Sequence, residues 1–399
     1  MTYDFDHAPN RRAPDAVKWA VGENELPLWI ADMDFAAAPE IREALGERLD
    51  RAVFGYGDIP ESWYQAYRNW WARRHAFSMD PEGLIFCTGV VPAISTAVRK
   101  LTTPAENVAI LTPVYNIFYN SIRNNGRNVL EVPLKNDGGA YAIDLDRLET
   151  ALADPQTRML IFCNPHNPVG KIWDRETLAA VGALAKRYGV TVVSDEIHCD
   201  IAKPGRGYIP FVSVDETCAG VSVTCVAPTK AFNLAGLQTA AVYCADPLLR
   251  HKMRRALNTD EVAEPNAFAV TAAEAAFNRG EAWLDALNVY LWENRALAER
   301  FFAERMPAFT VTKAEATYLL WLDGTALGVE NLPAFFRERA GVVLSGGRQY
   351  GATNAFLRLN LACPRSRLNE ALERMADAVN TGTASRAAAV SPTKRARSG

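Results

Sequence analysis

The chain has 399 residues, 49% of them hydrophobic and 22% charged, with a formal net charge of −3. That balance is a globular protein's with ample material for a core; it argues against a general nucleic-acid binder, and at about 150 residues per domain it predicts two or three domains. Seven cysteines stand singly with no CxxC pair, which predicts reduced thiols in the cytoplasm and excludes a disulfide framework.

The N-terminus MTYDFDHAPNRR is acidic and lacks an apolar run, so no signal peptide is expected. From there strands and helices alternate. Apolar runs at residues 84–87, 107–111, 159–163, 190–194, 221–226 and 239–244 read as buried strands. A helical stretch over 92–101 follows the first. Another covers 174–188, with Asp174 as its cap, Leu178, Val181, Leu184, Ala185 and Tyr188 on one face, and Gly189 ending it. Such alternation predicts an α/β fold with a doubly wound, mostly parallel sheet, whose ligands sit beyond the strands' carboxyl ends. The charge-free stretches 83–98 and 231–245 are too short and too interrupted to span a membrane.

From residue 281 the pattern changes to a long helix over 281–305, strands at 309–312, 317–322 and 356–361, and helices around 332–340 and 366–378, a smaller α+β unit. Residues 381–399, rich in Ala, Ser and Thr with four basic residues and no acid, are expected as a disordered tail. The predicted organisation is therefore an N-terminal segment over 1–45 packing with the small domain, a large domain over 46–280, a small domain over 281–380, and the tail.

Several motifs fail. There is no G-x-S-x-G elbow, and FGYGDIPES and GRGYIP lack the third glycine of a dinucleotide fingerprint. In NPVGKI, Pro165 stands where a phosphate loop needs glycine and Ile172 where it needs Ser or Thr. Cys163 with His166, and His198-Cys199-Asp200, have metal-ligand residue types; no metal is expected, because His166 lies between prolines and a continuing strand would turn Cys199 away from His198.

A different set stands out, one polar device after each of several strands: Thr88-Gly89-Val90-Val91 opening a helix, NPHNPVG, Asp195-Glu196, and APTK ending on Lys230. These would converge at one edge of the sheet, and they match what pyridoxal phosphate requires. Its aldehyde needs a lysine amine, its ring nitrogen a carboxylate, its phenolic oxygen a donor, and its phosphate a helix N-terminus. In NPHNP either Asn164 or Asn167 could be the donor, since an Asn before Pro is also ordinary turn chemistry.

The strings WIADMDF, TPVYNIFY, CNPHNPVGKIW, VVSDEIHCD, APTKAFNLAGLQ, EATYLLWLD and FLRLNLACPR, together with the order and spacing of Asn167, Asp195, Lys230 and Arg358, resemble the MalY/PatB group of pyridoxal-phosphate cystathionine β-lyases. That group has the aspartate aminotransferase fold, fold type I, with a mostly parallel seven-stranded sheet. The resemblance covers residues 5–375.

It implies that Lys230 bonds the cofactor and then moves the substrate's α-proton, that Asp195 pairs with the ring nitrogen, and that Asn167 and His198 lie near the phenolic oxygen. Tyr115 would stack on the ring and count with Lys230 as catalytic. Gly89, Val90, Val91 and Thr229 would hold the phosphate. Tyr56 would reach the partner subunit's cofactor and substrate in a homodimer with shared active sites, and Arg358 would grip the substrate carboxylate. Many aminotransferases carry arginine eight residues after the lysine; Gln238 stands there instead. The expected activity is cleavage of L-cystathionine or another S-substituted cysteine to thiol, pyruvate and ammonia in cytoplasmic amino-acid metabolism. The alternative with the same residues is a class I/II aminotransferase using a 2-oxo acid.

Overall fold

The computed structural model describes residues 3–390, with side chains placed through Thr381. Its centre is a seven-stranded sheet of β1 (Leu84–Cys87), β2 (Asn107–Thr112), β3 (Asn128–Pro133), β4 (Thr157–Cys163), β5 (Thr191–Asp195), β6 (Ser222–Val226) and β7 (Ala240–Tyr243), in the order β1-β7-β6-β5-β4-β2-β3. Only β7 runs against its neighbours. The six predicted strands are all present, shifted by at most two residues at their ends. The seventh, β3, escaped the sequence reading because it is an edge strand with only Val132 fully buried; a solvated edge lacks the continuous apolar run that marks its buried neighbours.

Helices cover both faces of this sheet. On one face α1 (Val90–Leu101) sets Ile94, Ala97 and Val98 against Val108, Ile110 and Val193. On the other, α2 (Arg175–Tyr188) packs Leu178, Val181 and Leu184 with Leu160, Phe162 and Val192. Asp174 caps α2 by accepting from the Thr177 amide at 2.7 Å, and Gly189 ends it at φ 65°, as its sequence required. Each fully buried Leu, Val or Phe on these faces contributes about 1.5–3 kcal/mol of transfer free energy.

Beyond α3 (Glu281–Arg305) lies a second sheet of β8 (Thr310–Val311), β9 (Leu319–Asp323), β10 (Ser345–Gly346) and β11 (Phe356–Asn360), antiparallel throughout in the order β8-β9-β11-β10. The N-terminal strand Leu26–Pro27 pairs with Val342–Val343 beside it, and Leu28 enters the same apolar cluster as Leu357 and Leu359. The following helix, Pro39–Asp50, belongs instead to the cluster containing Phe277 and the aromatic row Trp63, Tyr67, Trp70 and Trp71. The last helix, α4, spans Arg365–Val390. It carries a helical backbone through residue 390, into the stretch expected as a tail: the alanines that signalled low complexity are also the strongest helix formers. The remainder of that stretch, residues 391–399, lies outside the described residues.

The two sheets meet through the loop after β4. Gly170 has φ 68°, and its carbonyl accepts from the amides of Glu315 (2.8 Å) and Ala316 (2.9 Å) in the turn before β9. A Cβ at Gly170 would lie 2.6 Å from Ala316 O and from Ala314 Cβ. Gly170→Ala therefore combines backbone strain with a backbone clash and should destabilise the protein by about 2 kcal/mol or more, measured by urea denaturation.

Candidate active site

The carboxyl ends of the parallel strands open into a cavity of about 260 Å³ lined by Gly89, Val90, Val91, Tyr115, Asn167, Asp195, His198, Thr229 and Lys230. Nine of the eleven residues singled out from sequence thus face one space. Each arrives by its own strand: Gly89 after β1, Tyr115 after β2, Asn167 after β4, Asp195 as the last residue of β5, and Thr229 and Lys230 after β6. Gly89 precedes the first turn of α1, which has no side-chain cap, so its free amides present a partial positive charge to the cavity.

Arg358 reaches the same place from β11. Its Nη1 donates to Asn167 Oδ1 at 3.3 Å, its Nη2 to the Trp29 carbonyl at 2.9 Å, and its guanidinium carbon lies 4.8 Å from the Tyr350 ring centre. All these partners are uncharged, and Nε is buried without a protein partner. A buried cation so placed is costly unless an anion completes it. The Arg358 contact also fixes the Asn167 amide, leaving Nδ2 to donate. Asn164, the open alternative, does not line the cavity; its Nδ2 donates to the Ile209 carbonyl at 3.0 Å.

Tyr56 is the residue not brought in. It is 105% exposed, in a segment without regular secondary structure where Val53 (71%) and Phe54 (53%) are also outward.

The cavity's electrostatics follow from burial. Asp195 is flanked in register by Cys163 and Cys225; loss of water pushes its carboxyl up to about 6 against the pull of the Ile197 amide and Lys230. Lys230 is pushed down to about 8 by desolvation and by Arg358, against Asp32 and Asp195. His198 is held well below its ordinary value by burial, Lys230 and Arg358, so its imidazole is neutral, and its Nδ1 is buried without a partner. Tyr115 is raised to about 12 by burial and remains a phenol. Glu196 points away from the cavity and is held by Ser194 Oγ (2.7 Å), the Phe211 amide (3.0 Å) and Tyr208 Oη.

Among the metal-type residues, His166 and Asp200 have protein partners. His166 Nε2 lies 2.9 Å from the Pro113 carbonyl. β5 ends at Asp195, so His198, Cys199 and Asp200 lie in a turn and not on a continuing strand, and the alternation that would have separated Cys199 from His198 does not apply. Cys199 and Asp200 there lie within 4.8 Å of His75, but the Asp200 carboxylate already takes the Trp70 indole N–H (3.0 Å) and faces His75 Nε2 (2.9 Å). A larger cleft of about 1000 Å³ beside Trp292 holds two ion pairs in its lining, Lys171 with Glu315 (3.0 Å) and Arg295 with Glu299 (3.7 Å).

Sequence reasoning missed the cavity's roof, the segment Trp29–Met33. The Ala31 carbonyl accepts from Lys230 Nζ at 2.6 Å and from Tyr318 Oη at 3.0 Å, while Asn360 Nδ2 holds the carbonyls of Ile30 (2.6 Å) and Asp32 (2.7 Å). The strings WIADMDF, EATYLLWLD and FLRLNLACPR, which contain these residues, were the available signal.

The site fits pyridoxal phosphate on its own chemistry: a partly desolvated amine, a carboxylate at the cavity floor, an amide donor, a helix N-terminus, and the unpartnered His198 Nδ1 and Arg358 Nε.

Comparison with known proteins agrees. Residues 15–375 match the family described as aminotransferase class I and II. Cystathionine beta-lyase PatB of Bacillus subtilis is 42% identical over 386 residues, 94% of this chain and 100% of that protein. Protein MalY of Escherichia coli is 31% identical over 94% of this chain and 99% of its own length. The crystal structure of cystalysin from Treponema denticola, which contains a pyridoxal 5'-phosphate cofactor, superimposes with a TM-score of 0.92 at 32% identity, covering 96% of this chain and all of that one.

The raised Asp195 makes a signed prediction for the cofactor-free chain. Between about pH 4 and 6 the unfolded chain gives up this proton while the folded chain keeps it, so stability falls as pH rises through that window and the loss is complete above pH 6. Asp195→Asn should therefore be more stable than wild type by about 2 kcal/mol at pH 7.5 and by almost nothing at pH 4. Urea denaturation at the two pH values checks this; an equal gain at both would contradict it.

Proposed function

The chain belongs to the class I and II aminotransferase family, and from that premise we propose that it is a pyridoxal-phosphate-dependent carbon–sulfur β-lyase acting on L-cystathionine or a related S-substituted cysteine. The observation that carries the reading is the meeting of Lys230, Asp195 and Asn167 at one cavity, with Arg358 bonded to Asn167 at its edge, together with the β-lyase name of the relative at 42% identity.

Bound there, pyridoxal phosphate supplies an aldehyde for the substrate amine and an electron sink for bond breaking. The amides at Gly89, Val90 and Val91, with the Thr229 hydroxyl, hold its phosphate. Asp195 keeps a proton on the ring nitrogen, and that positive partner brings its own carboxyl back toward the ionised form. Asn167 Nδ2 would donate to the phenolic oxygen, because Oδ1 is committed to Arg358; neutral His198 would assist at the same atom, and Tyr115 would cover the ring.

Arg358 would take the substrate carboxylate at its guanidinium, whose Nε has no protein partner and whose two Nη atoms are held only by uncharged acceptors. With its value near 8, Lys230 is partly neutral at working pH and can take the α-proton at Nζ. Departure of the thiolate from Cβ follows, and hydrolysis gives pyruvate and ammonia; from cystathionine the thiol is homocysteine.

We place residues 46–280 as the cofactor-binding domain and 281–380 as the smaller one, and the enzyme in the cytoplasm, where seven buried thiols stay reduced. The exposed Val53, Phe54 and Tyr56 suit a homodimer in which Tyr56 enters the partner's site. Sedimentation should then find a dimer, and Tyr56→Ala should weaken cofactor retention without lowering Tm.

Incubation with L-cystathionine and no oxo acid should yield equal amounts of pyruvate, ammonia and thiol over many turnovers, and Lys230→Ala should abolish this while remaining folded. A single turnover that resumes only on adding a 2-oxo acid would assign an aminotransferase instead.

A further inference from the structure

Successive carbonyls of the roof are each held by an identified donor. Leu28 O takes the Asn360 amide (2.9 Å). Trp29 O takes Arg358 Nη2 and Ser345 Oγ (both 2.9 Å), and Asn360 Nδ2 serves Ile30 and Asp32. Met33 O takes Arg11 Nη1 (2.6 Å) and Asn233 Nδ2 (3.1 Å). Among these donors Lys230, which serves Ala31 O, is the one that the proposed chemistry removes. When its amine joins the cofactor, the nitrogen forms a double bond to the aldehyde carbon, and the aldehyde oxygen leaves as water with two of the amine's hydrogens. The nitrogen would then keep at most one hydrogen, and Ala31 O would lose the Lys230 donor that now lies at 2.6 Å.

Ala31 is 8% exposed and Tyr318 1%, and an unsatisfied carbonyl in such surroundings is costly. The second donor to that carbonyl is the Tyr318 hydroxyl at 3.0 Å. Tyr318 follows Thr317, a β-branched residue at φ 67°, a conformation rare for such side chains and kept only where the surroundings impose it. Burial and the nearby Asp32 raise the Tyr318 phenol, so it remains a donor at every working pH.

We infer that Tyr318 is a positioning residue for the lysine–cofactor bond: it keeps the Ala31 carbonyl satisfied and in place whenever Lys230 is joined to the cofactor, so the amine returns to the same acceptor each time it is released. The inference rests on the assignment of Lys230 as the cofactor lysine. It makes Tyr318 matter in one covalent state and not the other. With the amine free, Lys230 itself satisfies Ala31, and the hydroxyl is dispensable.

The test compares pyridoxal phosphate with pyridoxamine phosphate, which has an amine in place of the aldehyde and cannot bond the lysine. Tyr318→Phe keeps the ring and removes only the hydroxyl. Titrating the full-length chain, stripped of cofactor, should show affinity for pyridoxal phosphate reduced about tenfold, affinity for pyridoxamine phosphate within twofold of wild type, and an unchanged Tm of the stripped chain. Equal losses for both ligands, no loss for either, or a fall in the stripped chain's Tm would overturn the inference, because each reports a structural role or none. Lys230→Ala separates this from the underlying assignment: wild type should bind the aldehyde form far more tightly than Lys230→Ala does, and a Lys230→Ala protein that keeps the full wild-type affinity for that form would show that Lys230 does not bond it.

Discussion

An amine and a carboxylate must share one water-poor cavity without cancelling each other, and most of this structure serves that requirement. Lys230 and Asp195 are both displaced toward their neutral forms, and by the same cause, loss of hydration. An isolated ion pair would relax the strain on both but would leave neither free to act. The protein instead gives the amine an uncharged acceptor at Ala31 and stands the carboxylate between two thiols, so that each group stays available to a third party.

That arrangement depends on the parallel sheet. Because all strands but β7 point the same way, the residues following them arrive at a common edge, and each loop delivers one function. A rigid sheet buried on both faces holds these positions better than the loops could alone. The second sheet contributes from the opposite side. Arg358 on β11 and Tyr318 just before β9 bind the same N-terminal segment that roofs the lysine. Lys230, Arg358 and the roof are therefore one hydrogen-bonded unit, and a shift of the small sheet would be felt at Lys230 through Ala31.

Much of this was legible in the residues. The buried strands announced themselves because both their faces are covered, which makes them continuous apolar runs; β3 did not, since one side of it meets water. Lys230, Asp195 and the asparagine pair of NPHNP could be singled out because polar residues right after apolar strands are unusual and because each type has a defined task toward pyridoxal phosphate. The roof was not legible in the same way. It works through main-chain carbonyls, which every residue has, and its donors come from 199 and 287 residues away. Nothing in the spelling of WIADMDF says that Ala31 will accept from a lysine. The turn at His198–Asp200 escaped for a related reason: whether a strand continues past Asp195 depends on what its neighbours pair with, not on its own propensity.

The sequence by itself determined the residue types, their order, and the strand ends that carry them, and with those the kind of cofactor the chain is suited to hold. Only the tertiary structure decided which asparagine of NPHNP faces the cavity, that Arg358 has uncharged neighbours and a free Nε, that Tyr56 points outward from its own chain, and that Tyr318 and Lys230 share one carbonyl. The division has a physical origin. Periodicity and side-chain chemistry are local and can be read along the chain, whereas desolvation and hydrogen-bond partnership are set by atoms brought together from distant parts of it.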